Sequence, residues 1–355
     1  MDFTLTPDQE ALRDLARQIL TDSCTQEQLK DVAATGSATD LDLWRSLAEA
    51  GLVGINLPVA AGGGGYGWLE AAIVLSEIGR IAAPVPGLAV IAMAGPALVA
   101  VHDDHPQLLA GVADGEHVVT AAVHEQIGDP FAPTTHAEDG RLTGTKVCVS
   151  HGLLASRFVV TAADGLYVVE ASAAGVDVDR QDTTSGVPDA LVRFEAAPAL
   201  RIGGHDELHG LLRRAQSAAC VMIAASCQTA LTLTAEYAKT RQQFDRAIAS
   251  FQAVSQRAGD AYIDTEAVRL TAWQAAWRLD RGLPCDEALH TAKFWAAEGG
   301  WRVMHAAHHL HGGVGVDRDY PLHQHFLNHK QLELQLGSAT PSLQRLGRIL
   351  ADTPV

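Results

Sequence analysis

The sequence is poor in basic residues. Its 26 lysines and arginines face 42 aspartates and glutamates, so the 355-residue chain carries a formal net charge of −16 at pH 7. Nucleic acid and anionic membrane surfaces repel such a chain, and we expect neither as a partner. A local basic site for a small anionic ligand remains compatible with this composition.

Cysteine is also scarce, and no C-x-x-C pair occurs. The five cysteines are odd in number and scattered along the chain: Cys24, Cys148, Cys220, Cys227 and Cys285. This usage favours reduced thiols and predicts a cytoplasmic protein. The first residues, MDFTLTPDQEALRD, carry acids where a signal peptide needs a basic start and an apolar run, so no signal peptide is expected.

Charge is absent between Ala215 and Ala235, a run about long enough to span a bilayer. The run contains two glutamines, two serines and three threonines, which a lipid-facing helix would not favour. The whole chain, with 47% hydrophobic and 19% charged residues, has the composition of a soluble globular protein. We therefore predict that the run is a helix buried within a bundle.

The N-terminal third alternates helix signals with glycine and proline. Thr6 can cap a helix and Pro7 suits its first turn, and apolar residues follow at helical spacing. Further helices are predicted at 42–51, at 68–79 and in an apolar stretch that ends at about Val101. The glycine loop at 61–65 lacks the lysine and hydroxyl residue of a phosphate-binding loop, so it is not a predicted phosphate site.

The hydrophobic period changes at about His117. Short β-branched runs separated by Gly, Asp and Pro occur at 118–123, 145–150, 157–161, 166–170 and 191–195. They predict a small antiparallel barrel or sandwich of about 85 residues. Helices are expected after Arg201, at 206–239, 251–281, 286–311, 321–337 and 341–351. The prediction is an α+β protein with an N-terminal helical domain (1–115), a middle β domain (116–200) and a C-terminal helical bundle (201–355).

Two stretches in the predicted bundle share one chemistry. The first, TRQQFDRAIASFQ at 240–252, places Arg241 and Phe244 at one helix end and Phe251 at the start of the next. The second, HHLHGGVGVDRDYPLH at 308–323, breaks a helix with glycines, where a backbone without side chains can approach a bulky ligand. A guanidinium, an aromatic ring and a glycine turn are a plausible cradle for a nucleotide diphosphate. Alternatively, Arg241 could cap its own helix or pair with Asp245.

These two stretches resemble the C-terminal helical domain of the acyl-CoA dehydrogenase family. The earlier order of helix, GLVGINLP, glycine loop, helix and APVP resembles the family's N-terminal domain. In this family the two stretches bind the ADP half of an FAD that is held mainly by a neighbouring subunit. The resemblance implies FAD as the cofactor and a set of cofactor-binding residues: Arg241, Gln243, Phe244, Phe251, Gln252, His309, Gly312 and Gly313. His309 stands where many members have a glutamine.

The family's catalytic base has no counterpart in this chain. The family reaction removes a proton from the carbon α to a thioester while the β-hydride goes to flavin N5, so it needs a carboxylate base. The resemblance places that glutamate either just before a Gly-Thr or Gly-Ser pair, at Leu336, or twenty-six residues before Arg241, at Ala215. Neither side chain can take a proton, so no catalytic residue is predicted here.

The segments that bind the flavin ring in the family are altered as well. The family's Thr-Glu-Pro…Gly-Ser-Asp segment is replaced by HEQIGD at 124–129. Cys148 stands where the family's tryptophan stacks near the flavin, although the strand start TGTK at 143–146 is retained. The half-site for the flavin ring is therefore eroded, whereas the half-site for a partner's ADP group is kept.

This chain lacks the catalytic base and the flavin-ring segment but keeps the ADP-binding stretches, and this combination matches a pattern within the family. Actinobacterial enzymes of sterol side-chain degradation pair a catalytic subunit with a non-catalytic homologue in an α2β2 tetramer, and this sequence resembles the non-catalytic partner. The acyl-CoA substrate would then lie mainly on the catalytic subunit. Two alternatives stay open: a homotetrameric dehydrogenase whose base is displaced to Glu333 or Glu236, and a relative that catalyses another reaction or has only a structural role.

Sixteen histidines raise the question of a metal site. His305, His308 and His309 share one helix face, and a second group follows at 323–329. No cysteine or carboxylate cluster completes a closed site, and the two groups flank the glycine break. We predict no metal and favour a subunit interface that contains polar histidines.

Overall fold

The computed structural model describes residues 3–352. Its N-terminal region contains α1 (Pro7–Ser23), α2 (Gln26–Ala33), α3 (Leu41–Glu49), α4 (Trp68–Arg80) and α5 (Gly95–Leu98), with a π-helical segment at Leu88–Ala94. The predicted start of α1 is confirmed, because Thr6 accepts from the backbone N–H of Gln9 and donates its own N–H to the Gln9 side chain. The short helix α2 is not among the predicted helices.

Two four-stranded sheets follow. Their strands are β1 (Val118–Ala122), β2 (His136–Glu138), β3 (Arg141–Ser150), β4 (Ala155–Ala162), β5 (Gly165–Glu170), β6 (Val176–Gln181), β7 (Asp189–Pro198) and β8 (Leu200–Gly203). One sheet has the order β1-β4-β5-β8 and the other β2-β3-β7-β6. Pairing is antiparallel in both sheets except between β1 and β4, which run parallel. The predicted antiparallel arrangement therefore includes one parallel pair.

The two sheets face each other as a sandwich. Phe158 of β4 and Phe194 of β7 meet edge to face in its core, with ring centroids 6.2 Å apart. The first sheet is buried on both faces, because alternate residues point to opposite sides: Val160 faces the second sheet and Val159 faces the helices. This explains why every residue of β1 and the first five residues of β5 are buried. The α+β fold with a middle β layer is confirmed.

The C-terminal region is a helical bundle. It contains α6 (His205–Thr240), α7 (Gln252–Asp280), α8 (Asp286–His311), α9 (Leu322–Leu334) and α10 (Ala339–Asp352), with a short hairpin of β9 (Gln242–Gln243) and β10 (Arg246–Ala247) between α6 and α7. The predicted boundary at 200/201 lies within β8, and one core cluster joins residues from all three regions, including Trp44, Val159 and Val221. The domain limits therefore remain predictions.

Helix α6 carries the uncharged run. Among the described residues it is the one helix long and apolar enough to cross a membrane, but 61% of its apolar window is buried inside the structure. Ser217 in this run accepts a hydrogen bond of 3.1 Å from the indole N–H of Trp68 in α4. These contacts agree with the prediction of a helix buried within a bundle.

Candidate functional site

The hairpin between α6 and α7 carries the first predicted stretch. Helix α6 ends at Thr240, and the N–H of Arg241 donates to the carbonyl oxygen of Tyr237 at 2.8 Å. Strands β9 and β10 are joined by a two-residue turn, Phe244-Asp245, in which both residues have positive φ (53° and 63°). Positive φ at both turn residues matches the twist of a tight two-residue hairpin. The hairpin lies at the end of the bundle, between α6 and α7.

Phe244 is the most unusual residue of this hairpin. Its side chain is 86% exposed, and its left-handed backbone is unfavourable for a bulky residue. Its ring lies nearly perpendicular to that of Phe251, with centroids 6.1 Å apart. Neither core packing nor turn preference explains an aromatic residue here, and outliers of this kind cluster at functional sites.

Two arginines of the hairpin have no carboxylate partner among residues 3–352. Arg241 is exposed, and the alternative pair with Asp245 is not formed because the chain leaves the helix before that residue. Arg246, which the sequence reasoning missed, lies over the ring of Phe251 at 4.0 Å from the centroid. Two free guanidiniums on one hairpin of an acidic chain fit a diphosphate ligand.

The glycine turn lies at the same end of the bundle. The ring of Tyr237, one turn before the end of α6, stacks on His311, the last residue of α8, at 4.5 Å. Gly312 follows with φ 60° and ψ −137°, a conformation that requires glycine. A Cβ at Gly313 would meet no atom within 4 Å, so no internal packing explains this glycine. Both predicted stretches therefore converge on one open surface.

The predicted cofactor residues share high exposure. Phe251 is half-buried, and the others are exposed: Arg241, Gln243, Phe244, Gln252, His309, Gly312 and Gly313. Such a surface offers the charge, aromatic ring and open backbone that an adenosine diphosphate group needs. Because these residues lie on an open surface, they would contact such a group from one side, and its other side would need a second surface.

The two positions of the missing base are both buried. Leu336 is 1% exposed and sits in the turn after α9 with φ 58°, and Ala215 lies in the core face of α6. The displaced base Glu333 is 2.6 Å from the ammonium group of Lys330. The second alternative, Glu236, is exposed and pairs with Lys239 at 2.7 Å. Neither glutamate is an unpaired carboxylate placed for proton abstraction.

The altered ring segment contacts the segment of the missing base. His124 Nε2 is 3.1 Å from the side-chain oxygen of Gln335, next to Leu336. Cys148 lies exposed at a bulge of β3 with φ 51°, and its N–H donates to Gln181 at 2.7 Å. These residues do not fit an isoalloxazine ring, whereas the hairpin and glycine turn fit the ADP half.

A buried ion pair lies beside His124. Lys146 is fully buried, and its Nζ donates to Glu125 at 2.9 Å and to the Thr161 hydroxyl at 3.0 Å. Burial lowers the pKa of Lys146 to about 8, although Glu125 acts to raise it. Burial acts to raise the pKa of Glu125, but hydrogen bonds from Lys146, Thr134 and Thr135 outweigh it and bring that pKa to about 2. Both groups are therefore charged at neutral pH.

The histidines have packing roles. His305 and His308 contact the ring of Phe326 at centroid distances of 5.1 and 4.2 Å, and His325 Nδ1 is 2.9 Å from the hydroxyl of Ser226. Within residues 3–352, no group of three or more His, Cys, Asp or Glu side chains is arranged to hold a metal ion.

Asp189 of β7 is a second buried carboxylate. It is 2% exposed and accepts one hydrogen bond of 2.9 Å from the side chain of Gln331 in α9. Burial raises the pKa of Asp189 to about 6, and the bond from Gln331 only partly opposes this effect. Ionised Asp189 therefore costs folding free energy at neutral pH.

Asp189→Asn should stabilise the protein in a pH-dependent way. A carboxyl group whose pKa is raised by folding destabilises the protein as the pH rises from the pKa of the unfolded chain to that of the folded chain. The stability gained by Asp189→Asn should therefore grow from about pH 4 to about pH 6 and then level off. We expect a gain of about 1–3 kcal/mol above pH 6, measured by urea unfolding. The exposed Asp103→Asn is the matched control, and an equal gain in it would contradict this reading of Asp189.

Comparison with known proteins identifies the family. Residues 6–116 match the model of the acyl-CoA dehydrogenase N-terminal domain, and residues 209–350 match that of the acyl-CoA dehydrogenase C-terminal domain. These two models describe a family of flavin-dependent oxidoreductases. The chain belongs to the acyl-CoA dehydrogenase family, as its motifs predicted. Its members are FAD-dependent flavoproteins, which confirms the predicted cofactor.

Individual relatives are similar over their whole length. Acyl-CoA dehydrogenase FadE27 of Mycobacterium tuberculosis (strain ATCC 25618 / H37Rv) is 38% identical over 372 residues, covering 100% of both chains. A solved variant of the Tcur3481–Tcur3483 steroid ACAD is 40% identical with a TM-score of 0.92, covering 98% of this chain and 99% of that chain. A chain of the ChsE4–ChsE5 complex from Mycobacterium tuberculosis is 37% identical with a TM-score of 0.92, covering 100% of both.

Proposed function

We propose that this chain is a non-catalytic subunit of a heteromeric, FAD-dependent acyl-CoA dehydrogenase. It contributes the ADP half of a flavin site whose ring-binding part and catalytic base lie on a partner subunit. The observation that carries the proposal is an exposed half-site at Arg241 and Gly313 in a chain whose base position holds Leu336. A half-site needs a second surface, and a subunit without a base needs a partner that has one.

Each residue of the half-site has a distinct task in this proposal. Arg241 grips the diphosphate with two parallel N–H donors, a geometry that a guanidinium provides and a lysine does not. Phe244 and Gln243 contact the adenosine end from the hairpin. His309 and the bare backbone at Gly313 bound the group on the glycine side. When bound, FAD supplies the hydride acceptor for the dehydrogenation.

The relatives support a substrate class and an assembly. One similar structure is named a steroid ACAD and another is a two-protein complex. We therefore propose an α2β2 tetramer with a catalytic acyl-CoA dehydrogenase, acting on the CoA thioester of a steroid side chain bound mainly on the partner. The bundle would form the subunit contact, since α7 exposes the apolar residues Tyr262, Ile263 and Leu270. All five cysteines are free thiols, which suits the proposed cytoplasmic location.

The stoichiometry of FAD tests the proposal. Co-expressed with a catalytic acyl-CoA dehydrogenase subunit as its partner, the chain should form a tetramer that holds about one FAD per αβ pair, because only one of the two ring sites in a pair is intact. Flavin absorbance against protein concentration measures the ratio. The chain purified alone should be almost colourless and inactive on acyl-CoAs.

Two outcomes would contradict this function. One FAD per chain in the complex would mean that the β sandwich of this chain still binds a flavin ring. A yellow homotetramer that reduces a dye with an acyl-CoA would favour the alternative with a displaced base, and Glu333→Gln and Glu236→Gln would then locate that base.

A further inference from the structure

Three contacts join the β sandwich to the last two helices across the cleft where the family's base segment and ring segment meet. They connect His124, Asp129 and Asp189 on the sandwich side with Gln335, Arg345 and Gln331 on the helical side. We use the word latch for these six residues. The contacts are long-range, with partners 142 to 216 positions apart in the sequence.

The central contact of the latch lies next to the base position, which Leu336 occupies. His124 Nε2 lies 3.1 Å from Gln335 Oε1 and 3.4 Å from the backbone nitrogen of Leu336. Burial lowers the pKa of His124 below its ordinary value; the hydrogen bond with Gln335 opposes this effect, and the cations Lys146 and Lys293 add to it. A neutral imidazole that carries its proton on Nε2 can donate to Gln335 Oε1 and so join the two segments without adding a charge.

The outer contacts secure the two flanks. Arg345 of α10 pairs with the Asp129 carboxylate and lies over the ring of Phe131, at 4.2 Å from its centroid. On the other flank Gln331 donates to Asp189 at 2.9 Å. The sandwich therefore cannot separate from α9 and α10 without breaking buried or half-buried polar contacts.

The turn that carries Leu336 is fixed from within the bundle as well. Leu336 has φ 58°, which is unfavourable for a branched side chain and persists only where the surroundings impose it. The buried Nζ of Lys293 donates to the last carbonyl groups of α9, those of Leu332 at 2.9 Å and Glu333 at 2.8 Å. The end of α9 is thus held in place, and Leu336 is directed into the core.

We infer that this latch closes the chain's own flavin-ring and acyl cleft and replaces the cofactor as the element that holds the sandwich against the last two helices. The inference deepens the proposed function, on which it rests for the identity of the excluded group. The chain would then fold completely without a flavin ring in its own cleft. Its hairpin would stay in position for the ADP half of the FAD on the partner subunit.

Hydrogen–deuterium exchange in the co-purified complex tests the latch. We expect slow exchange in the peptides at 124–131 and 331–338, unchanged by an excess of FAD. His124→Ala should speed exchange at 331–338 by at least about tenfold, because it removes the central contact from the opposite segment. Gln335→Ala should do the same at 124–131. His136→Ala, an exposed histidine on β2, is the matched control and should change neither peptide.

The outcomes separate the latch from the proposed function. Three results would overturn the latch. The peptides at 124–131 and 331–338 could exchange fast in the parent, or they could be protected only when excess FAD is present. Alternatively, neither His124→Ala nor Gln335→Ala could change their exchange. Should His124→Ala unfold the chain, exchange in the core of α6 would rise too, and Gln335→Ala then decides. Loss of FAD from the Arg241→Ala complex tests the proposed ADP half-site independently. The latch can therefore fail while the half-site is supported, and the half-site can fail while the latch is supported.

Discussion

Arg241→Ala in the assembled enzyme should weaken FAD binding by about ten- to a hundredfold and leave the assembly intact. A guanidinium bonded to a diphosphate makes charge-assisted hydrogen bonds, and their loss costs about 1.5–3 kcal/mol. The side chain is exposed and has no ion pair within the described part of the chain, so its removal should cost the fold little. The effect should therefore fall on the ligand.

Retention of flavin measures this effect directly. The purified variant complex should lose FAD on gel filtration, seen as a fall in flavin absorbance per protein, and excess FAD should restore activity. Arg241→Lys should recover only part of the affinity, because an ammonium group cannot bind the diphosphate through two parallel donors. Arg281→Ala is the matched control, since Arg281 is also an exposed arginine directly after a long helix, at the far end of α7.

Unchanged flavin retention in Arg241→Ala would make the arginine a simple helix-end residue. The exposed Phe244 would then have no explanation in a shared site. Equal loss of flavin in Arg241→Ala and Arg281→Ala would instead indicate a general effect of charge on the acidic chain.

The helices could be predicted because their signals are local. Capping residues and apolar spacing lie within a few positions of each other, and α8 begins and ends where the sequence placed it, at Asp286 and His311. The short α2 was missed although Thr25 and Gln28 form a capping box, since eight residues give little periodicity. Local signals of this kind suffice for long elements and fail for short ones.

Three strands of the two four-stranded sheets were missed for a different reason. Strand β6 reads VDVDRQ, and its charged residues point to solvent on an edge strand, so its composition resembles a loop. Strands β2 and β8 have only three and four residues. Their pairing depends on neighbours far along the chain, which no window of the sequence contains.

The candidate site also has a part that local motifs predict and a part that only long-range contacts reveal. The residues of the half-site could be placed from motifs, since Arg241 and Gly313 belong to two short segments with recognisable spacing. Arg246 was overlooked because the turn before it, Phe244-Asp245, lacks the usual asparagine and glycine. The contact between His124 and Gln335 spans 211 positions in the sequence. Only the folded chain therefore shows that the altered ring segment contacts the segment that lacks the base.

Lys146→Met should be strongly destabilising. Lys146 is 0% exposed and its carboxylate partner Glu125 is 9% exposed, so the variant would leave a nearly buried negative charge without its cation. Removing one partner of a buried ion pair costs about 3–5 kcal/mol, more than the pair itself contributes relative to apolar residues. Thr134 and Thr135 would still donate to Glu125, but neutral donors do not replace the charge.

A double-mutant cycle isolates this interaction. Glu125→Gln in the Lys146→Met background should recover much of the lost stability, because no buried charge then remains unpaired. Arg193→Met removes an exposed cation that bonds Asp177 and Asp179, and should have little effect. Urea unfolding of each variant in the same assembly gives the comparison.

The pH dependence of the Lys146→Met loss gives a further check on its cause. In the parent, the pKa of Glu125 is depressed to about 2, so the ion pair contributes stability above the ordinary carboxyl range and loses that contribution as the pH falls. The deficit of Lys146→Met should therefore shrink as the pH is lowered towards about 4, where the unpaired carboxyl group becomes protonated. A deficit that stays constant with pH, or one that Glu125→Gln does not relieve, would mean that Lys146 stabilises the sandwich through packing of its hydrocarbon chain and not through its charge.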